Sequence, residues 1–172
     1  MLSGVIFWRF GVSLETLFLW ALIPIFLAIT VIDWRLYIIP NVLNFIIGIF
    51  GVGYLVLAHA LELPEAVLIT KHALISGLVY FAFSYSLAFV FYKVRGKEAL
   101  GGGDIKFFGA AGIWLGLGFL PYFLMLSGGF GVLCAIYAKL TRGGESFPFG
   151  PALIGAFIVG VLTHGIFKTG LL

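Results

Sequence analysis

These 172 residues point to an all-α, polytopic membrane protein with six transmembrane helices, built as a single domain over residues 1–172 with no soluble domain. Of the chain, 62% is hydrophobic and 10% charged, with a mean hydropathy of +1.19. A water-soluble domain needs about a quarter of its residues charged to cover its surface, so disordered, fibrous, nucleic-acid-binding and disulfide-rich secreted classes are excluded. The apolar runs also recur between short polar or Pro/Gly-containing stretches. At about 20 residues for each helical crossing of the hydrocarbon, the length allows about six spans with little left over. The single cysteine, Cys134, lies among apolar residues and reads as a small buried thiol.

The first span runs from about Leu14 to Ile32, with Ser13 placed to cap it, Glu15 in its first turn and Asp33 at its far end. No removable signal peptide is expected ahead of it, because no basic stretch or small-residue cleavage site is present. The second span opens at Pro40, which lacks the N–H that a first helical turn leaves unpaired, and ends near Ala58. His59 to Thr70 reads as a polar external connection. Together with His72 it holds two histidines and two glutamates (Glu62, Glu65), whose irregular spacing suits a solvated loop better than a metal site. The third span, Lys71 to Tyr92, stops at the basic segment Lys93, Arg95, Lys97. A fourth starts near Asp104 and reaches about Gly118, a fifth runs from Pro121 to Lys139, and a sixth starts at Gly150-Pro151. Gly112, Gly116, Gly128, Gly129 and Gly131 are expected to serve close helix packing.

Basic residues give the orientation. The connections after the first, third and fifth spans carry Arg35, Lys93, Arg95, Lys97, Lys106, Lys139 and Arg142, against Arg9, Lys71 and Lys168 on the other side. The positive-inside bias therefore puts Asp33, the Gly101–Asp104 run and the Phe147–Pro151 segment at the cytoplasmic boundary of a multi-pass plasma (inner) membrane protein, with both termini outside.

Asp33 and Asp104 carry the chemistry. Each is a carboxyl at the edge of an apolar helix, where an ionised group costs a few kcal/mol or more. Either alone could merely flank its span, but two on one face, one preceded by Gly101-Gly102-Gly103, favour function. Two neighbouring carboxyls can share a proton, so that one activates water and the other protonates the leaving group. The glycines suit the same chemistry, since backbone without Cβ atoms admits an extended substrate strand. Asp104 at a helix N-terminus is expected as the ionised base, and Asp33 near the C-terminal end of its span as the neutral acid. Lys106 follows Asp104 by two residues, about 200° around a helix, which favours snorkelling to the interface over a direct ion pair. Trp34 and Tyr37 fit an interfacial aromatic belt, with Arg35 near lipid phosphate.

With these residues in view, the chain resembles the prepilin peptidases (type IV leader peptidases), membrane aspartyl proteases of the GxGD class. The resemblance rests on Asp33-Trp34-Arg35 with Ile39-Pro40-Asn41, on Gly101-Gly102-Gly103-Asp104-Ile105-Lys106 running into Gly112-Ile113-Trp114-Leu115-Gly116, and on Pro148-Phe149-Gly150-Pro151. It implies a transmembrane peptidase that removes the short basic leader from prepilin-like or preflagellin-like precursors at the cytoplasmic face. Asp33 and Asp104 would be the catalytic pair, and Gly101, Gly102, Gly103, Lys106, Pro148, Phe149, Gly150 and Pro151 the supporting loops. The longer family members carry an extra N-terminal segment and a zinc-binding cysteine tetrad and also methylate the new N-terminus. One cysteine builds no such site, so no metal or other cofactor is expected and methyl transfer has no support here. The short length resembles tight-adherence pilus or archaeal preflagellin peptidases.

Two other classes compete. A small transporter or channel would use the same carboxyls near the midplane, against which their edge position argues. A non-enzymatic pilus-assembly subunit would need neither. The expected partners are the precursor substrates and the lipid bilayer, with no nucleic acid.

Overall fold

The computed structural model describes residues 2–60, 63–96, 100–142 and 147–164. Within them the chain is helical, with no strand among the described residues: α1 (Leu2–Phe10), α2 (Leu14–Leu36), α3 (Asn41–Ala58), α4 (Leu63–Arg95), α5 (Gly102–Leu115), α6 (Leu120–Arg142) and α7 (Gly150–His164).

Ser13 caps α2 as its side chain predicts, its hydroxyl accepting the Thr16 N–H at 3.3 Å. The far end differs from expectation. The helix passes Ile32 and closes one further turn, until Tyr37 adopts φ 56° and donates its N–H to the Asp33 carbonyl. Asp33 thus lies inside the last turn of α2, not beyond it. Pro40 is the N-cap of α3, one residue ahead of its expected place. The external connection shrinks as well, because α4 begins at Leu63 and takes up Glu65 through Thr70; Glu62 lies outside the described residues. The short α1 was not anticipated, since nine residues carry too little periodicity to stand out.

By length and composition α2, α3, α4 and α6, the last with the turn before it, are each able to cross a bilayer. α7, at 15 residues, is shorter. α5 has 14 residues and a rise of roughly 21 Å, less than the thickness of the hydrocarbon core. Its place explains the shortness. Ile105, Phe107, Phe108, Ala110, Ala111, Trp114 and Leu115 are buried around its circumference, the pattern of a helix enclosed by others. α3, α4 and α7 pack around it. Side chains facing away from this centre, such as Phe45, Leu78 and Met125, are exposed and apolar, as a lipid-facing surface requires.

Contact between α4 and α5 depends on missing side chains. A Cβ on Gly112 would lie 2.9 Å from the Ser76 carbonyl and 2.7 Å from the Tyr80 ring, and one on Gly77 would lie 2.8 Å from the Gly109 carbonyl. Two helix backbones therefore approach at a distance only glycine allows, as small residues permit in lipid. Gly112 fulfils the packing role expected of it, and Gly131 meets the Phe149 ring, whereas Gly128 and Gly129 have nothing within 4 Å. Gly116, with φ 74°, ends α5, and its carbonyl accepts the buried Tyr80 hydroxyl at 2.9 Å. Trp114 adds a link to α3 by donating its indole N–H to the Ile47 carbonyl at 2.9 Å. Cys134 is half-buried.

Candidate active site

The last turn of α2 carries Asp33 into the protein, where it is 4% exposed. A carboxyl placed there needs donors, and the start of α7 supplies one: the Gly150 N–H donates to Asp33 Oδ2 at 2.7 Å. A Cβ on Gly150 would lie 2.9 Å from that oxygen, so the contact requires glycine at this position. Pro151 follows in the first helical turn, where its missing N–H costs nothing, and Pro148 is buried just ahead of it. This geometry alters one expectation. Asp33 was to face only the C-terminal end of its own helix, yet its oxygen meets the N-terminus of α7, so the dipole no longer distinguishes it from Asp104.

Asp104 occupies the third position of α5 and accepts the Gly101 N–H through Oδ2 at 3.1 Å. This is half of a capping box; the reciprocal half is impossible because glycine has no side-chain oxygen. The glycine run is also more ordered than an open loop. Gly101 is the N-cap, while Gly102 and Gly103 form the first turn of α5. Their surroundings differ sharply. A Cβ on Gly103 would lie 2.6 Å from the Ile39 carbonyl, whereas one on Gly102 would meet nothing within 4 Å. Asp33 and Asp104 are near enough for the charge of one to act on the other.

Lys106 is exposed, and its Nζ donates to Asn41 Oδ1 at 2.7 Å, a partner that the sequence did not reveal. One turn further along α3, Asn44 is 4% exposed, and its Nδ2 donates to the Gly103 carbonyl at 2.8 Å. Its Oδ1 is buried with no hydrogen-bond partner among the described residues. A buried acceptor left unpaired costs about 1–3 kcal/mol, which offsets what the Gly103 hydrogen bond contributes to stability. Sequence reasoning gave Asn44 no role. The available signal was an amide three residues after Asn41 in an otherwise apolar helix, a spacing that puts both on one face.

Among the described residues no group of three or more histidine, cysteine, aspartate or glutamate side chains is arranged to hold a metal ion. What the geometry brings together is two carboxyls, each with a backbone N–H from a helix N-terminus, and a glycine turn packed on the segment that joins α2 to α3. Such a pair can exchange protons with a water and with a leaving group between them.

Comparison with known proteins adds a separate line of support. Residues 20–139 match the type IV leader peptidase family. A prepilin leader peptidase/N-methyltransferase of Pseudomonas putida is 33% identical, over 94% of this chain and 55% of its own length. The protein of the same name from Neisseria gonorrhoeae is 29% identical over 89% of this chain and 51% of its own length. A type 4 prepilin-like proteins leader peptide-processing enzyme of Escherichia coli O78:H11 is 34% identical over 82% and 49%. The chain thus spans about half the length of the curated relatives it matches. No solved structure matches it.

Proposed function

Because the chain belongs to the type IV leader peptidase family, we propose that it is a membrane aspartyl endopeptidase that removes the basic leader of prepilin-like precursors. The observation that carries this reading is that Asp33 and Asp104, 71 positions apart in sequence, each accept a backbone N–H from a glycine at the start of a helix, at the same end of the bundle. In the proposed reaction one carboxylate takes a proton from water as the oxygen attacks the scissile carbonyl. The other, protonated, hydrogen-bonds that carbonyl oxygen. Collapse of the tetrahedral intermediate breaks the C–N bond, and a carboxyl proton passes to the departing amine, leaving the pair one proton short of two for the next cycle.

The backbone donors of Gly101 and Gly150 help to hold the two carboxyls in place. The remaining proposals concern placement. Six helices, α2 to α7, cross the membrane, with α5 and α7 shortened because neighbouring helices line them. The Asp pair faces the cytoplasm, and both termini lie outside. The substrates are prepilin-like or preflagellin-like, and methyl transfer is not proposed.

The test is cleavage of a prepilin-like precursor by protein reconstituted in membranes. Asp33→Asn and Asp104→Asn should each abolish cleavage while the protein still inserts and folds, since neither variant retains a proton-sharing pair. A wild-type rate in either variant refutes the dyad. A transporter using these carboxyls, or an assembly subunit, would show no wild-type cleavage to lose.

A further inference from the structure

The turn of α5 that bears Asp104 has little holding it in place from within. Its N-cap, Gly101, has no side chain to cap the helix, and its first two residues, Gly102 and Gly103, carry more backbone freedom than any other residue type. The hold comes from α3. Asn44 Nδ2 donates to the Gly103 carbonyl at 2.8 Å, and one helical turn away Asn41 Oδ1 accepts from Lys106 Nζ at 2.7 Å. Asn44 reaches into the protein and, among the described residues, has one partner for its amide N–H and none for its buried carbonyl oxygen. As a contribution to folding that is a poor exchange, and an apolar side chain of the same shape would suit the surroundings better. What an apolar residue could not do is hold the peptide unit next to Asp104.

We infer that Asn44 is a positioning residue for Asp104: its amide N–H fixes the Gly103 carbonyl, and through it the first turn of α5, so that the Asp104 carboxyl stays opposite Asp33. The inference rests on the peptidase reading above for its catalytic consequence, though not for its structural part. Asn44 does not touch the reacting atoms. It acts through Gly103, so its loss should lower turnover more than substrate affinity.

Asn44→Thr and Asn44→Val decide the matter, because the two side chains are nearly the same shape and only threonine keeps a donor. Three quantities are read for each: kcat and KM on a prepilin-like precursor, thermal unfolding in detergent, and amide hydrogen exchange across residues 101–106. Asn44→Val should lose on the order of tenfold or more in kcat with KM within about twofold of wild type, since a small misplacement of a catalytic group is costly. It should unfold at no lower temperature than Asn44→Thr and exchange faster across 101–106. Asn44→Thr should recover most of the turnover.

Equal kcat and equal exchange in the two variants would overturn the assignment, as would a loss of turnover in Asn44→Val matched by a lower unfolding temperature than that of Asn44→Thr. Should Asn44→Val not insert, Asn44→Ser against Asn44→Ala repeats the comparison with smaller side chains. If wild-type protein cleaves no precursor, the peptidase reading fails, and the exchange difference still decides whether Asn44 orders the Asp104 turn.

Discussion

A carboxyl withdrawn from water can stay where a helix carries it only if something donates to it, and at buried Asp33 and half-buried Asp104 alike the donor is a backbone N–H reached across a missing Cβ. Gly150 approaches Asp33 closely enough that an alanine Cβ would sit 2.9 Å from Oδ2, and Gly103 packs onto the Ile39 carbonyl, where a Cβ would sit at 2.6 Å. The Ile39 neighbour is backbone, and at Gly150 the Asp33 Cβ, at 3.2 Å, would be crowded even if the carboxyl swung away. Gly150→Ala and Gly103→Ala should therefore displace the Asp they serve and reduce precursor cleavage on the order of 10²-fold, the cost of roughly an ångström of misplacement. Gly102→Ala should stay within about twofold of wild type in the same assay, because its Cβ would point into open space. If all three alanines behaved alike, close approach would not be what these glycines provide. The aspartates themselves were legible in the sequence, since charge in an apolar helix stands out. The Gly150 contact was not, because it joins positions 117 apart, and Asn44 was not, because an uncharged amide leaves only a weak mark in an apolar run.

Helices meet in this protein where side chains are absent, and the crossing of α4 and α5 matters most because it seats the helix that bears Asp104. Gly112 faces the Ser76 carbonyl and the Tyr80 ring, and Tyr80 itself is fixed by its hydroxyl on the Gly116 carbonyl. An alanine at 112 has backbone on one side and a pinned ring on the other, so Gly112→Ala should destabilise by about 1–3 kcal/mol, the usual cost of overpacking. Gly48→Ala is the control: its Cβ would meet the end of Ile113 at an ordinary 3.6 Å. Thermal unfolding in detergent checks the pair, and an unfolding temperature for Gly112→Ala equal to that of Gly48→Ala would count against the crossing described here. The apolar runs themselves gave away α2, α3, α6 and α7 to within a few residues. They misjudged the ends. The closing turn of α2 carries Asp33 and Arg35 and the first turn of α4 carries Glu65, and both are helical all the same. Polarity marks where a helix leaves lipid, not where it stops.

Across the whole molecule several of the tertiary links gather in two groups at opposite ends of the bundle. One end joins α1 to the start of α2 and to the finish of α7, and the turn before α6 to that same finish: Arg9 donates to the Leu162 carbonyl, Trp20 to the Ser3 carbonyl, and the Phe119 and His164 rings lie 5.3 Å apart. The other end joins the finish of α2 to the starts of α3, α5 and α7 through Asp33 with Gly150, Asn44 with Gly103 and Lys106 with Asn41. Trp34, with its ring 5.8 Å from that of Tyr137, places the finish of α6 at this same end. The proposed orientation rests on the basic residues, because Arg35, Lys93, Arg95, Lys106 and Lys139 belong to the end with the two aspartates, the end that the positive-inside bias favours for the cytoplasm. Single cysteines test this assignment once the native thiol is removed by Cys134→Ala. Val94 and Leu140, 74% and 82% exposed in the last turns of α4 and α6, should label with a membrane-impermeant maleimide from the cytoplasmic side when replaced by cysteine. Val12, 91% exposed between α1 and α2, should label from outside. Gly96 is avoided because its φ of +65° would strain any replacement. Labelling of Val94→Cys and Val12→Cys from the same side would break the alternation of spans on which the two ends depend. Labelling of all three positions from the reverse sides would keep the bundle and move the aspartate pair outside, where a leader on the cytoplasmic side of the membrane could not reach it.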